Sequence, residues 1–376
     1  MVGSPKNSIN KFTASSEGQG VAKYLPNENA IILKNGRRVE YDHLVIATGL
    51  KPQCNVKGFD EAWADIEHPV YAGQDHESWK LSTNKAFRFI HNFPGGNAYF
   101  CIPPAPFYGE IENYNFFLAK DLWDRYDSTG LISWKNSSLT VMNANNSFVE
   151  NFDEADNFIK TELEKRNINV EYGQKLVEVK KDTQTAVFEK VNSGEQSERR
   201  YGSLYALLEK KADPIISDAG LADNHGLLDV DPYTLQHTKY SNIFGLGDVV
   251  NVPTTKTFFA GFNQLHVVRH NLEQVLNGAE PNAHYDGYSE ATLHLGMDKS
   301  TNVSHLYGGK SAGTLDSGFM SSLRYKLAEK GKKGLIDLLK FKSWGPPYYK
   351  MKKTFTGGKI STPPAPKSMQ PDQKSA

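Results

Sequence analysis

Two short segments far apart in the chain constrain its fold more than any other feature. Residues 44–49 read LVIATG, and residues 243–248 read IFGLGD. Each is a brief apolar run that ends on glycine. A run of this length suits a strand buried on both faces. A glycine at its end lets the backbone turn tightly and approach a ligand closely. The Asp closing the second segment can accept a hydrogen bond from a ribose or ribityl hydroxyl, and NVPTTKT follows it. Taken alone, Gly245-Leu246-Gly247-Asp248 suits equally well a glycine turn whose Asp caps a helix.

The totals exclude several classes. A chain of 376 residues can bury a large core and should hold two domains or more. With 43 basic and 43 acidic residues the net charge is zero, so the whole molecule is not a nucleic-acid binder of the basic type. No apolar run is long enough for a spanning helix. Cys54 and Cys101 cannot make a disulfide framework and read as buried reduced thiols. The first residues, MVGSPKNSINKFTASS, carry lysines and hydroxyls and no acid, a composition compatible with a mitochondrial address, although arginine is lacking.

Pattern and punctuation predict the elements. Residues 30–33 and 39–41 around Asn35-Gly36 read as a β-hairpin. Residues 44–47 read as a buried central strand, and 87–91 and 98–102 as two strands around a Gly-Gly loop. A helix is expected from about 112 to 126, a strand at 138–142, and an acidic-then-basic helix at 154–166. Strands are expected at 169–171 and 175–179, 186–188 continues a meander, and 192–200 reads as a polar hairpin. A helix is expected over 258–276. Within it His266 and His270 stand four apart, which is metal-ligand spacing, but no third ligand is near and no metal is expected. The βαβ alternation between about 87 and 170 implies a Rossmann-like unit. Residues beyond 362 are Pro/Lys/Ser/Gln-rich, a disordered composition.

At this point a resemblance becomes specific. The blocks GGNAYFCIPPAP, VEVKKDTQTAVFE, LLDVDPYTLQHTKYSNIFGLGD, NVPTTKT, YDGY and SWGPPYYKMKKTF resemble the mitochondrial, eukaryotic-type sulfide:quinone oxidoreductases. The resemblance implies an α/β, FAD/NAD(P)-binding Rossmann-like two-domain flavoprotein fold. Residues 1–55 would be a remnant of the FAD-binding domain, 56–200 a second Rossmann-like domain, and 201–290 the return to the first. Residues 291–355 would face membrane or partner, and 356–376 would be a tail. Thr48, Gly49, Gly247, Asp248 and Lys256 fall where the family contacts its cofactor.

Three departures stand against that likeness. The family's first segment is a strand, G-x-G-x-x-G and a helix whose N-terminus holds the FAD pyrophosphate; no stretch of this chain supplies that motif. The two redox cysteines of the family align with Gly109 and Val249, which can neither attack nor pair. After PTTKT, where the family runs through small residues, Phe258, Phe259 and Phe262 bring three large rings, expected to fill the volume a flavin would vacate.

Residues 318–355 hold ten Lys/Arg against Glu329 and Asp337, with Leu335, Ile336, Leu338, Leu339, Phe341, Trp344, Tyr348 and Tyr349 among them. A basic amphipathic segment with aromatics reads as an interfacial membrane helix, or as a solvated helix packed on protein. The expectation is therefore a truncated, degenerate family member without catalytic residues or cofactor. It would be an accessory subunit of a respiratory-chain assembly on the matrix side of the mitochondrial inner membrane. It would contact other subunits and, through 318–355, the lipid surface, with no nucleic acid. One alternative is an active FAD-dependent sulfide:quinone-type oxidoreductase completed by another chain or an upstream segment. A second is a module that keeps a nucleotide as sensor or brace, disfavoured because Pro103 to Pro106 replace a glycine-rich turn.

Overall fold

The computed structural model describes residues 20–72, 88, 93, 95–104, 114–130, 136–150, 152–297 and 299–312. The apolar runs of the middle of the chain assemble into one five-stranded sheet. Its strands are β6 (Val70–Ala72), β7 (Asn97–Ile102), β8 (Ser138–Asn143), β9 (Asn169–Tyr172) and β13 (Ser203–Ala206). They lie in the order β6-β13-β7-β8-β9, every pair parallel. Parallel ladders need crossovers, and helices α2 (Phe116–Ser128) and α3 (Asp153–Lys165) make two of them. The first turn of α3 carries Asp153, Glu154 and Asp156 and its last turn Lys165, as the helix dipole favours.

Alternation along the central strands sends side chains into two separate cores. Ala98, Phe100, Ile102, Leu139, Val141 and Tyr205 meet Phe116, Trp123 and Ile159 of the helices on one face. Phe100 stacks on Tyr205 with ring centroids 4.7 Å apart and meets Phe116 edge-on at 5.0 Å. Tyr99, Cys101, Met142, Leu204 and Ala206 point the other way. There they meet the antiparallel meander of β10 (Gln174–Lys180), β11 (Thr185–Lys190) and β12 (Gln196–Arg200), and helix α1 (Phe59–Ala64). Cys101 thus owes its burial to strand register.

A second body is built from both ends of the described chain. Strands β1 (Val21–Leu25), β2 (Ala30–Leu33) and β3 (Arg38–Glu40) form an antiparallel sheet. Strand β4 (Leu44–Ile46) pairs in parallel with β15 (Ile243–Gly245), and β5 (Lys51–Gln53) pairs with β14 (Glu209–Lys211). One turn of helix, α4 (Ile215–Asp218), and the long helix α5 (Phe258–Leu276) close the core formed by Ile46, Leu228, Val230, Ile243, Phe244, Val249, Val267 and Val268.

The hairpin β16 (Ser289–His294) and β17 (Ser300–His305) joins the two bodies. Ala291, Leu293 and Val303 enter the core under the helices, while Tyr288 and Tyr307 at its base enter the second core. Polar contacts hold its tip. Asp121 Oδ2 accepts from the Met297 N–H at 2.9 Å, and Arg166 donates to the Leu295 carbonyl at 3.2 Å. Glu162, only 2% exposed, accepts from Arg166 at 2.5 Å and Lys165 at 2.8 Å, and faces Lys299 at 3.8 Å.

Three expectations change. The run at 44–47 is not a buried central strand: among the described residues β4 pairs only with β15, and Val45 is 40% exposed. An apolar run reports a strand but not how many neighbours cover it. The helix expected from about 112 begins at Phe116. Of the strand expected at 87–91 only Arg88 is described, and it is helical.

Because Glu162 is buried among three cations, Glu162→Gln should destabilise the protein by about 1–3 kcal/mol. The check is the urea midpoint at neutral pH, with an unchanged m-value; a shift below about 0.5 kcal/mol would remove the clamp from the account.

Candidate functional site

The parallel register of β4 and β15 matches Leu44 to Ile243, Val45 to Phe244 and Ile46 to Gly245. The two glycine segments therefore leave the carboxyl ends of adjacent parallel strands side by side, and the Leu246 N–H donates to the Ile46 carbonyl at 3.2 Å. Ligands of open α/β sheets bind outside such strand ends. Thr48, Gly49, Gly247 and Asp248, read separately in the sequence, are thus brought together.

Each component has a local cause. A Cβ on Gly245 would lie 2.4 Å from Leu228 Cδ2 and 2.7 Å from Val250 Cγ1, so close packing admits only glycine there. Gly247 has φ +79°, a left-handed turn that aims its N–H at the Gln264 side chain, 2.7 Å away. Gln264 lies in α5 and is 1% exposed, so the turn is tied to the helix that follows it. Thr48 is exposed and Asp248 half-buried; among the described residues neither side chain is engaged in a hydrogen bond. Such a carboxylate beside a left-handed glycine can accept from a sugar hydroxyl.

The NVPTTKT segment is absorbed by structure. Thr254 Oγ1 donates to the Gly287 carbonyl at 3.0 Å. Thr255 Oγ1 lies 2.5 Å from Ser289 Oγ and 3.0 Å from His305 Nε2. Thr257 caps α5 by accepting from the Ala260 N–H at 3.1 Å, and its hydroxyl also lies 3.0 Å from Ser289 Oγ. Lys256 is 2% exposed. Its ammonium donates to the backbone carbonyls of Val250 and Val252, which fixes the loop after Asp248. Burial pulls its pKa down to about 8, against the opposing pull of the Asp248 and Asp223 carboxylates.

The sulfur positions are silent. Val249 is fully buried in the second core and its carbonyl accepts from the Leu228 N–H at 2.8 Å. Gly109 lies outside the described residues, as does 318–355. Cys101 is 4% exposed and burial pushes its thiol far above the ordinary value. The Cys54 thiol is pushed up to about 11, again by burial. Neither cysteine is set up to supply a thiolate.

The second candidate crevice is at the carboxyl ends of β7 and β13, where strand order reverses in the five-stranded sheet. It holds a cavity of about 30 Å3, lined by Cys101, Ile102, Pro103, Pro104, Ala206 and Leu207 among others. That space is of the order of a water molecule, far below what a nucleotide needs. The rings of Phe258 and Phe262 do not fill an interior volume as expected. Phe258 is 73% exposed and Phe262 36%, and only Phe259 packs against the core. Helical periodicity explains this, since 258 and 262 share the outward face of α5. His270 pairs with Asn282 at 2.6 Å, His266 lies edge-on to Phe262, and no metal-binding cluster occurs among the described residues. Sequence reading missed Gln264, Ser289 and His305, because each reaches the site from a distant segment without a motif of its own.

The two strand ends offer a carboxylate, a hydroxyl and two glycines suited to the sugar end of a dinucleotide. They do not offer the backbone amide cradle that a pyrophosphate needs, and no G-x-G-x-x-G exists in the sequence. As described, these residues do not fit FAD by themselves.

This parallel sheet beside a strand pair ending in ATG and GLGD defines a protein of the two-dinucleotide-binding class. A family model described as pyridine nucleotide-disulphide oxidoreductase matches residues 129–286. The mitochondrial sulfide:quinone oxidoreductase of Schizosaccharomyces pombe is 30% identical over 286 residues, covering 75% of this chain and 60% of its own. That of Mus musculus is 28% identical over 282 residues, covering 74% and 60%. The chain thus spans about 60% of the length of these relatives. A chain in the cryo-EM structure of the Tetrahymena thermophila mitochondrial ATP synthase F1Fo composite tetramer is 44% identical with a TM-score of 0.77. The match covers 88% of this chain and 81% of that one. The sulfide:quinone oxidoreductase of Aquifex aeolicus shares the fold, with a TM-score of 0.66 at 17% identity over 87% of this chain and 79% of its own. The chain is thus similar to the mitochondrial sulfide:quinone oxidoreductases over about three quarters of its length, and it shares the fold of the pyridine nucleotide-disulphide oxidoreductases.

Two outcomes test this geometry. Val249→Cys should place a thiol in the second core at the position the resemblance implies for a cysteine, yet leave it unreactive toward a soluble disulfide reagent until denaturant is added. Fast reaction in the native protein would show that the site is open. For Lys256, the unfolded chain holds its proton up to about 10.5 while the folded chain releases it near 8. Stability should therefore rise with pH across that window. Lys256→Met should flatten the rise in a series of urea midpoints.

Proposed function

We propose that this chain is a non-catalytic subunit of a mitochondrial inner-membrane assembly of the ATP synthase type, built on the sulfide:quinone oxidoreductase fold. The observation that carries this reading is Val249, a fully buried core residue at a family cysteine position. Without that sulfur, and with Cys54 and Cys101 both held as thiols, the chain has no residue to carry sulfide-derived sulfur. The 44% identical chain within the Tetrahymena ATP synthase supports the choice of assembly. The relatives' mitochondrial location supports the compartment. On this reading the protein is peripheral, on the matrix side. It is held by neighbouring subunits, with the basic residues of 318–355 contributing attraction to an anionic lipid surface.

A second reading rests on one specific observation, the half-buried Asp248 carboxylate that follows the left-handed Gly247 and makes no hydrogen bond among the described residues. It is an FAD-dependent oxidoreductase completed by a separate polypeptide that supplies the pyrophosphate cradle.

One preparation separates the two. A tagged endogenous copy is isolated in mild detergent, run on a native gel and scanned in the visible. The scaffold reading expects co-migration with ATP hydrolysis activity and no flavin bands attributable to the chain. One flavin per chain would sink it and favour the second reading. Migration apart from the ATPase, without flavin, would refute the assembly assignment alone.

A further inference from the structure

Both bodies and the hairpin that joins them meet on one buried imidazole. His305 lies on β17 and is 7% exposed. It stands opposite Ser289 in the hairpin ladder. Its ring centroid is 5.4 Å from that of Phe152, the residue before α3. Its Nε2 is 3.0 Å from Thr255 Oγ1, in the loop that leads into α5.

The partners fix which ring nitrogen carries the proton. Nδ1 faces the Leu306 carbonyl at 3.4 Å. A carbonyl only accepts, so Nδ1 donates and Nε2 of the neutral ring accepts. Thr255 then donates to Nε2. Ser289 Oγ, 2.5 Å from Thr255 Oγ1, donates to Thr255. Thr257 donates to Ser289 Oγ at 3.0 Å while accepting from the Ala260 N–H. Three hydroxyls thus run in one direction from the cap of α5 to the imidazole, and each has an acceptor.

A second proton on His305 breaks this order. Nε2 becomes a donor aimed at a hydroxyl that is already donating, and a positive charge sits in the interior. Among the described residues no carboxylate pairs with it. On β16, Glu290 accepts from Tyr288 and Asn302. At the hairpin base Asp286 accepts from the Tyr288 N–H. On α3, Asp156 is held by the Phe148 N–H and Lys160, while Asp153 and Glu154 are exposed. Lys256 beside Thr255 and the exposed Lys310 beyond β17 are cations themselves, and His294 lies at the far end of β16. Burial accordingly holds the His305 pKa below the ordinary histidine value, against the opposing pull of the Leu306 carbonyl.

We infer that His305 is a proton-operated latch on the start of α5, holding the Thr255–Thr257 loop to the hairpin when neutral and releasing Thr255 when protonated. The first turn of α5 then loosens. Gln264, which holds the Gly247 turn, lies two turns along the same helix, so the strand-end crevice loosens with it. The change is local, because Tyr285, Tyr288 and Tyr307 keep the hairpin base in the second core. The latch is closed above the ordinary histidine pKa and opens as pH falls below it. It rests neither on the assembly proposed above nor on a bound cofactor.

The test is hydrogen exchange of the full-length protein, read by mass spectrometry at about pH 8 and about pH 5, either side of the ordinary histidine value, with rates corrected for intrinsic exchange. Peptides over 255–262 should lose several-fold of their protection at the lower pH, while those of α3 keep theirs. His305→Gln retains an acceptor and cannot titrate, so its protection should be the same at both. Unchanged protection in the parent, or an equal loss in the variant, would overturn the inference. A readout on the parent protein alone comes from ring-nitrogen magnetic resonance, with His305 assigned through its contact with the Phe152 ring. The proton should be on Nδ1 at neutral pH; a proton on Nε2 would overturn the inference as well.

Discussion

A parallel sheet cannot leave a face to water, because its crossovers and its apolar strands demand cover on both sides. The arrangement of this molecule follows from that demand. Helices α2 and α3 cover one face of the five-stranded sheet, and the β10–β11–β12 meander covers the other. The helices leave part of their side unfilled, and the β16–β17 hairpin completes it with Ala291, Leu293 and Val303. The same hairpin is tied at its base to the cap of α5 through Ser289 and His305. Covering the sheet therefore also fixes the strand-end crevice in the other body.

That crevice shows how a motif can outlast its chemistry. Gly245 answers to the crowding of Leu228 and Val250. Thr254, Thr255 and Thr257 hold a loop to a hairpin, and Lys256 spends its charge on two backbone carbonyls. They lie in or beside segments that resemble the family's cofactor contacts, and Lys256 was itself expected as one, yet all of them have structural work without a cofactor. Among the described residues the side chains of Thr48 and Asp248 make no hydrogen bond, although Asp248 still acts on Lys256 through its charge.

Much of this was legible in sequence. The meander, the βαβ strands and both bounds of α5 follow from periodicity and from turn residues. Each of ATG and GLGD was legible as a strand end, whereas their juxtaposition was implied by the family resemblance and is given by the β4–β15 register. The hairpin at 289–305 was not, since Ser289, Ser300 and Thr301 occupy buried positions and blunt the apolar alternation. The exposure of Val45 was not, because composition cannot count a strand's neighbours. Nor was the outward aim of Phe258 and Phe262, which depends on which stripe of α5 the core claims.

The shortness of β4 has a consequence of its own. An open parallel edge is a template for unwanted pairing, and long flat edges seed aggregates. Here the ladder with β15 is three residues long, and Thr48-Gly49 then turns the chain away, with Gly49 in a left-handed conformation. An intruding strand would gain too few backbone hydrogen bonds to propagate.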